Sequence, residues 1–249
     1  MIAVVLVGDE ILSAQVRDEN LYYIIDRLSE AGYETGEARI IRDDVDEIAK
    51  TFRELAGRYQ YVISSGGVGP THDDVTLDGV ALAFDLPLEL NETMISFLAG
   101  HHGEEMKNSV VKMAMLPAGS IVDTGNNRRW PLVRVQNCFI LPGLPRALRD
   151  KVDRLVLSLP TLDRAWIARI YLDSHEDEIA DWLAELQSKH RAVSIGSYPV
   201  MEERNYKTRI TFKGQDQQAV RIAYDEALAI LAATLVDKEA PEPLGGSGA

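Results

Sequence analysis

The sequence predicts an α/β domain with a mostly parallel sheet, followed by a small α+β domain. Three observations carry this. Apolar segments rich in β-branched residues, Ile2–Val7, Thr35–Ile41 and Tyr61–Ser65, alternate with stretches whose apolar residues recur at helical spacing. The first segment is a continuous apolar run, as expected of a strand covered on both faces. Beyond residue 164 the order changes to β-α-β-β-α, with an apolar set of its own.

Each element has a local reason. Leu21, Ile24, Ile25 and Leu28 mark the first helix, and Gly32 suits the position just past its end. Val45, Ile48, Ala49, Phe52, Leu55 and Ala56 mark the second, followed by Gly57. A third spans about residues 77–84. Residues 86–117 read as less regular helix, opening at the N-cap Asn91. Short strands follow at 120–122, 132–135 and 138–141, the last two forming a hairpin around Gln136-Asn137. Pro142-Gly143-Leu144-Pro145 then starts a helix that reaches about Leu157, and residues 160–163 read as a linker.

The second domain begins with a strand at 165–172 and a helix carrying Ile179, Trp182, Leu183 and Leu186. Strands at 192–200 and 207–213 pair around a turn at 202–205, and a last helix runs from about 217 to 235. The expected domains are therefore 1–160 and 164–237, with a disordered tail over 238–249 that contains Gly245-Gly246-Ser247-Gly248.

Composition narrows the function. A net charge of −13 over 249 residues argues against broad nucleic-acid binding, which needs lysine and arginine to replace counterions. One cysteine, Cys138, in the apolar run to Leu141, removes disulfide frameworks and cysteine-based zinc sites and reads as a buried thiol. The apolar amino terminus is too short to span a membrane and has no basic flank, so no membrane partner is expected and the cytoplasm is the default location.

The chemistry concentrates after the three strands. Gly66-Gly67-Val68-Gly69 follows the third, and glycines let several backbone N–H groups approach a phosphate. Asp73 and Asp74 come next and would repel that phosphate unless a divalent cation lies between them. Asp9 and Glu10 follow the first strand, and Asp43 and Asp44 the second. Carboxyl ends of parallel strands share one edge, so these acids are expected to face one cleft. Each has a plainer alternative. Asp44, three before Glu47, fits a helix cap, Asp9 a turn, Gly66-Gly67 a tight turn, and Asp73-Asp74 the start of a helix. His72 could touch a ligand, whereas His101 and His102 are adjacent and point apart on a helix. Arg128-Arg129 could pair with a phosphate or lie in a solvated loop. The glycine run lacks the P-loop lysine and the dinucleotide spacing, and no G-x-S-x-G elbow is present.

These residues resemble a known family. Gly8-Asp9-Glu10-Ile11-Leu12-Ser13, Asp18-x-Asn20, Asp43-Asp44, the run from Gly66 through Thr71-His72-Asp73-Asp74 to Thr76, and Leu141-Pro142-Gly143-Leu144-Pro145 occur in that order. Together they look like the molybdopterin-binding domains related to MoaB and MogA, in the subgroup of the CinA amino-terminal domain and eukaryotic FAD synthase. Lys112-Met113-Ala114 fits the same pattern, and the residues after Ala165 look similar to the small domain that follows in that subgroup.

The resemblance implies a three-layer α/β/α fold, a homo-oligomer, and metal-dependent hydrolysis of ADP-ribose or FAD that releases AMP. The metal would be magnesium, cobalt or manganese, with molybdopterin as another ligand. By position, Asp74 and Asp43 would be catalytic, and Asp9, Asp44, Asp73 and Asp74 would face the metal. Gly8, Ser13, Gly66, Gly67, Gly69, Thr71, Pro142 and Gly143 would hold the nucleotide or pterin ligand. The rival readings are a non-catalytic pterin- or nucleotide-binding module and a molybdopterin adenylyltransferase-like protein. Two departures stand out. Ala14 replaces a usual glycine, and residues 126–131 replace the Gly-Thr-Ala-Pro-Gly segment of CinA-like proteins and look closer to the FAD synthase branch.

Overall fold

The computed structural model describes residues 1–103, 105–125, 130–160, 162–200 and 204–244, with the side chain of His102 left aside. Arg128-Arg129, part of the turn at 202–205 and the glycines from 245 onward lie outside the described residues. The chain divides into two compact units, residues 1–29 with 33–160, and residues 30–32 with 161–249.

In the first unit the chain alternates strand and helix three times. β1 (Ile2–Val7) is buried along its whole length, as its unbroken apolar run requires. α1 (Asp9–Leu12) is one turn, and α2 (Asn20–Glu30) starts at Asp18, whose carboxylate accepts from the Asn20 and Leu21 N–H groups at 3.1 and 2.9 Å. β2 (Thr35–Ile41), α3 (Val45–Arg58), β3 (Tyr61–Ser65) and α4 (Thr76–Ala83) follow.

The stretch expected to be irregular helix is more varied. β4 (Leu88–Leu90) pairs antiparallel with β5 (Met115–Pro117), and between them lie α5 (Glu92–His102) and α6 (Asn108–Lys112). Asn91 caps α5 as expected, accepting from Met94 N–H at 3.0 Å. β6 (Ile121–Asp123), β7 (Leu132–Val135), β8 (Cys138–Leu141) and α7 (Pro145–Ser158) complete the unit.

The main sheet has the order β2-β1-β3-β8-β7-β6. The first four strands are parallel; β7 and β6 are antiparallel additions, and Gln136 turns the β7–β8 hairpin at φ 51°. Ala3, Val5 and Val7 share a core with Ile48 and Phe52 of α3 and Val80 of α4. Ile2, Val4 and Leu6 alternate to the opposite face and are equally buried. α2 and α7 also bury Ile24, Leu28, Leu148 and Val152, and Asp153 of α7 joins them by accepting from Tyr23 and Arg27 at 2.9 and 2.8 Å. The domain is thus a three-layer α/β/α structure with a mostly parallel sheet.

The second unit holds β9 (Trp166–Leu172), α8 (Glu176–Lys189), β10 (Ser194–Pro199), β11 (Thr208–Gly214), α9 (Gln217–Ile230) and β12 (Leu235–Pro243). Its antiparallel sheet runs β10-β11-β9-β12. Ala168, Ile170, Leu172, Ile210 and Phe212 form its core with Ile179, Leu186, Val220, Ala223 and Ala227 of the two helices. β12 corrects the sequence reading. α9 stops at Ile230, and residues 235–243 pair with β9 where a disordered tail from 238 was expected. Proline and charge made that segment look like a tail, but an edge strand tolerates both. Among the described residues no helix is long and apolar enough to cross a membrane.

A charge cluster ties β2 to α3. Arg39 donates to Glu54 at 2.7 and 2.9 Å and to Glu37 at 2.7 Å, and Arg58 reaches Glu54 at 2.8 Å. The Arg39 hydrogen bonds pull the Glu54 carboxyl from 4.5 down to about 2. A depressed carboxyl contributes stability above its unfolded pKa and loses it as pH falls through the folded one. Glu54→Gln should therefore lower the melting temperature near neutral pH, and that deficit should shrink as pH falls from about 4.5 toward about 2. Thermal melts across that range check it.

Candidate active site

The loop after β3 is shaped by two glycines at positions where a Cβ would clash. Gly66 has φ 107°, and a Cβ there would lie 2.0 Å from the Val7 carbonyl oxygen at the end of β1. Gly67 has φ 64°, and its Cβ would lie 2.3 Å from Thr76 Oγ1 and 3.2 Å from Asp43 Oδ1. The loop is therefore pressed against the ends of β1 and β2. Thr76, fully buried at the start of α4, returns the chain by donating to Gly66 O at 2.9 Å while its N–H donates to Gly67 O at 3.0 Å.

Backbone donors in this loop are partly spent. Gly66 N–H pairs with Leu141 O at 3.1 Å, so Gly66 supplies shape rather than a donor. Thr71, expected on phosphate, is exposed and bonds within its own turn. Its N–H donates to Asp74 Oδ2 at 2.8 Å, and its Oγ1 lies 2.5 Å from both Asp73 Oδ1 and Asp74 Oδ2. A hydroxyl has one proton, so it serves one of these carboxylates at a time. The Thr71 contact holds Asp73 below the usual carboxylate range.

The acids from three loops do approach one another. Asp43 Oδ2 accepts the Asp9 N–H at 2.9 Å. Burial pushes the Asp43 carboxyl up, and the Glu10, Asp9 and Asp73 charges push the same way, against the Asp9 hydrogen bond. Asp44 is engaged elsewhere: it caps α3, accepting Glu47 N–H at 2.8 Å. Asp9, Asp44, Asp73 and Asp74 do not close into one cage; among the described residues no three histidine, cysteine or carboxylate groups gather around a metal position. The donor set is nonetheless all oxygen. It fits a hard ion held by one or two carboxylates, with water and ligand phosphate completing its shell.

Other expected contacts are structural in form. Ser13 caps α1 by donating to Asp9 O at 2.8 Å, and Gly8 N–H pairs with Ile41 O at 3.1 Å. Pro142 O accepts from Ser65 Oγ at 3.2 Å, and a Cβ on Gly143 would lie 3.4 Å from Gly66 Cα. His72 is almost fully exposed, its nearest carboxylate being Asp73 at 3.8 Å.

Two residues that only the motif pattern hinted at prove central. Asn20, buried at the start of α2, donates to Ser65 Oγ at 3.0 Å and Gly143 O at 2.7 Å, locking β3 to the loop before α7. Lys112 at the end of α6 donates to Thr71 O at 2.9 Å and Asp74 O at 2.8 Å, clamping the acidic turn. Lys112 also lines a cavity of about 180 Å³ with Val68, Gly69, Asp74, Leu77 and Met113.

Residues 3–164 match the family described as a probable molybdopterin binding domain. The chain belongs to that family. Residues 165–240 match the middle domain of FAD synthase. A probable FAD synthase from Caenorhabditis elegans is 31% identical across 94% of this chain and 50% of its own length. A protein from Pyrococcus horikoshii is 34% identical over 70% of this chain and 74% of its own. The crystal structure of a CinA protein of unknown function from Thermoplasma acidophilum aligns at TM-score 0.57 and 28% identity, covering 62% of this chain and 95% of that one. The chain spans about half the length of the FAD synthase relatives it matches.

Two substitutions test the loop. Gly66→Ala must displace backbone, whereas a Cβ on Gly69 would meet the movable Asp74 carboxylate at 2.6 Å. Gly66→Ala should cost more than about 2 kcal/mol of stability and clearly more than Gly69→Ala, by denaturant melts. Ala14 stands at φ 57°, in the left-handed region that glycine adopts freely. Ala14→Gly should therefore stabilise the protein by about 0.5–1 kcal/mol, the αL strain outweighing the added entropy of the unfolded chain.

Proposed function

We propose that this protein is a divalent-metal-dependent nucleotide pyrophosphatase that cuts the phosphoanhydride of ADP-ribose or FAD and releases AMP. The observation that carries the reading is the placement of Asp43. Its carboxylate sits beside Gly67 at the strand edge, partly buried among Asp9, Glu10 and Asp73. Such a group is costly unless a cation or proton accompanies it.

A hard cation bound there would polarise a phosphoryl oxygen and acidify its bound water. The chain's own residues would do the rest. Asp43, Asp73 and Asp74 would offer carboxylate oxygens, and Asp43 would keep its orientation through the Asp9 N–H. Gly67 to Gly69 would bring the main chain close to the diphosphate, where N–H groups stabilise charge developing on the transferred phosphoryl group. Lys112 would hold Thr71 and Asp74 in place without spending its charge on the ligand. The match to FAD synthase relatives and to a CinA structure supports a nucleotide ligand.

A second reading has its own support. With no described three-residue metal cage, the site would serve as a pterin- or nucleotide-binding module without turnover. Incubation with ADP-ribose and FAD under magnesium, cobalt and manganese separates the two. AMP should appear, and Asp43→Asn and Asp74→Asn should each cut its rate at least about 100-fold, the scale of losing a charge-stabilising group. No AMP under any metal, with a ligand still raising the melting temperature, leaves the binding module standing.

A further inference from the structure

A cavity of about 670 Å³ opens at the start of α7, lined by His101, Trp130, Leu144, Pro145, Arg146 and Asp150. Its volume is that of a small-molecule site. Its wall is aromatic and built from two elements. Phe97 and His101 of α5 stack with ring centroids 4.2 Å apart, and Phe97 meets Trp130 at 5.2 Å.

Trp130 is held firmly by α7. Arg154 Nη1 donates to the Trp130 carbonyl at 3.1 Å, and its Nη2 donates to Asp123 O at 3.1 Å. Lys151 Nζ donates to the next carbonyl, that of Pro131, and lies 6.0 Å from the indole centroid. Lys151 is only 4% exposed, so an ammonium group has been taken out of water to make this clamp. Even so, Trp130 keeps 36% of its surface in solvent, and neighbouring Leu144 keeps 74%. A large ring whose main chain is clamped and which borders a cavity is a preorganised stacking surface.

The cavity adjoins the strand-edge site. Leu144 on its wall follows Gly143, which abuts Gly66. Arg146 supplies a cation on the cavity wall.

We propose that the Trp130–His101 wall is the subsite for the flat heteroaromatic ring of the ligand, whose diphosphate end lies at the Gly66–Gly69 loop. The proposal rests on the nucleotide-diphosphate reading above. AMP and FMN test it, because each carries a ring and a phosphate but no phosphoanhydride, so binding is read without turnover. Inorganic pyrophosphate is the ringless control.

Calorimetric titrations in magnesium should show wild-type binding of AMP or FMN. Trp130→Ala should weaken it about 5- to 100-fold, the range for losing one ring stack, while Trp130→Phe retains most of it. His101→Ala should weaken it less, and pyrophosphate affinity should not change. Binding of neither mononucleotide by the wild type overturns the subsite, as does unchanged AMP and FMN affinity in Trp130→Ala. Equal loss of pyrophosphate affinity also overturns it, since the indole would then only support the loop. If Trp130→Ala fails to fold, the decision passes to indole fluorescence. Ligand quenching seen in the wild type must vanish in Trp130→Phe, and its persistence overturns the assignment. Failure of the hydrolysis assay with ring binding intact rejects turnover and leaves the subsite in place.

Discussion

The strand edge of the first domain depends on one approach of main chain to main chain. At Gly66 the end of β3 lies so close to the Val7 carbonyl that a methyl group would have no room. The same glycine pairs through its N–H with Leu141, at the end of β8. One residue thus brings the ends of β1, β3 and β8 to a common level. The loops that follow those strands must then leave from one edge, where open α/β sheets present their ligand sites. Thr76, Asn20 and Lys112 each fasten a different part of that arrangement, by hydrogen bonds to backbone or to a buried hydroxyl.

Electrostatics decides what such an edge can receive. Asp9, Glu10, Asp43 and Asp73 act on one another there, and the nearby ammonium of Lys112 is already engaged by two carbonyls. An anionic ligand arriving alone would meet net repulsion, and the chain's overall charge of −13 offers no long-range attraction to offset it. On the proposed reading, an anion would therefore have to arrive with a cation of its own. A cluster of this sign also discourages nucleic acid, whose charge is spread over many phosphates.

Much of this was legible in the sequence, for identifiable reasons. The run from Ile2 to Val7 could only be a strand covered on both faces, and Asp44 with Glu47 announced a cap. Other features were hidden because their causes are tertiary. Thr71 and Asp74 read as ligand groups, and the hydrogen bonds between them across three residues were not foreseen. Asn20 was visible only as part of the Asp18-x-Asn20 motif, and its task stayed hidden because its partners lie in distant segments. β12 has almost no strand-like composition; it is a strand because β9 offers it an edge. Ala14 looked like a mild departure from a family glycine, and only the backbone angle of 57° reveals its strain.

The reach of Asn20 carries a consequence for how the protein comes into being. Its side chain binds partners 45 and 123 residues further along the chain. Synthesis delivers the glycine loop well before Gly143, so for much of translation the loop has no partner on that side. The end of β3 therefore stays incompletely fastened until the residues around Gly143 have been made, and the last lock on this edge closes when the Gly143 carbonyl meets the waiting amide of Asn20.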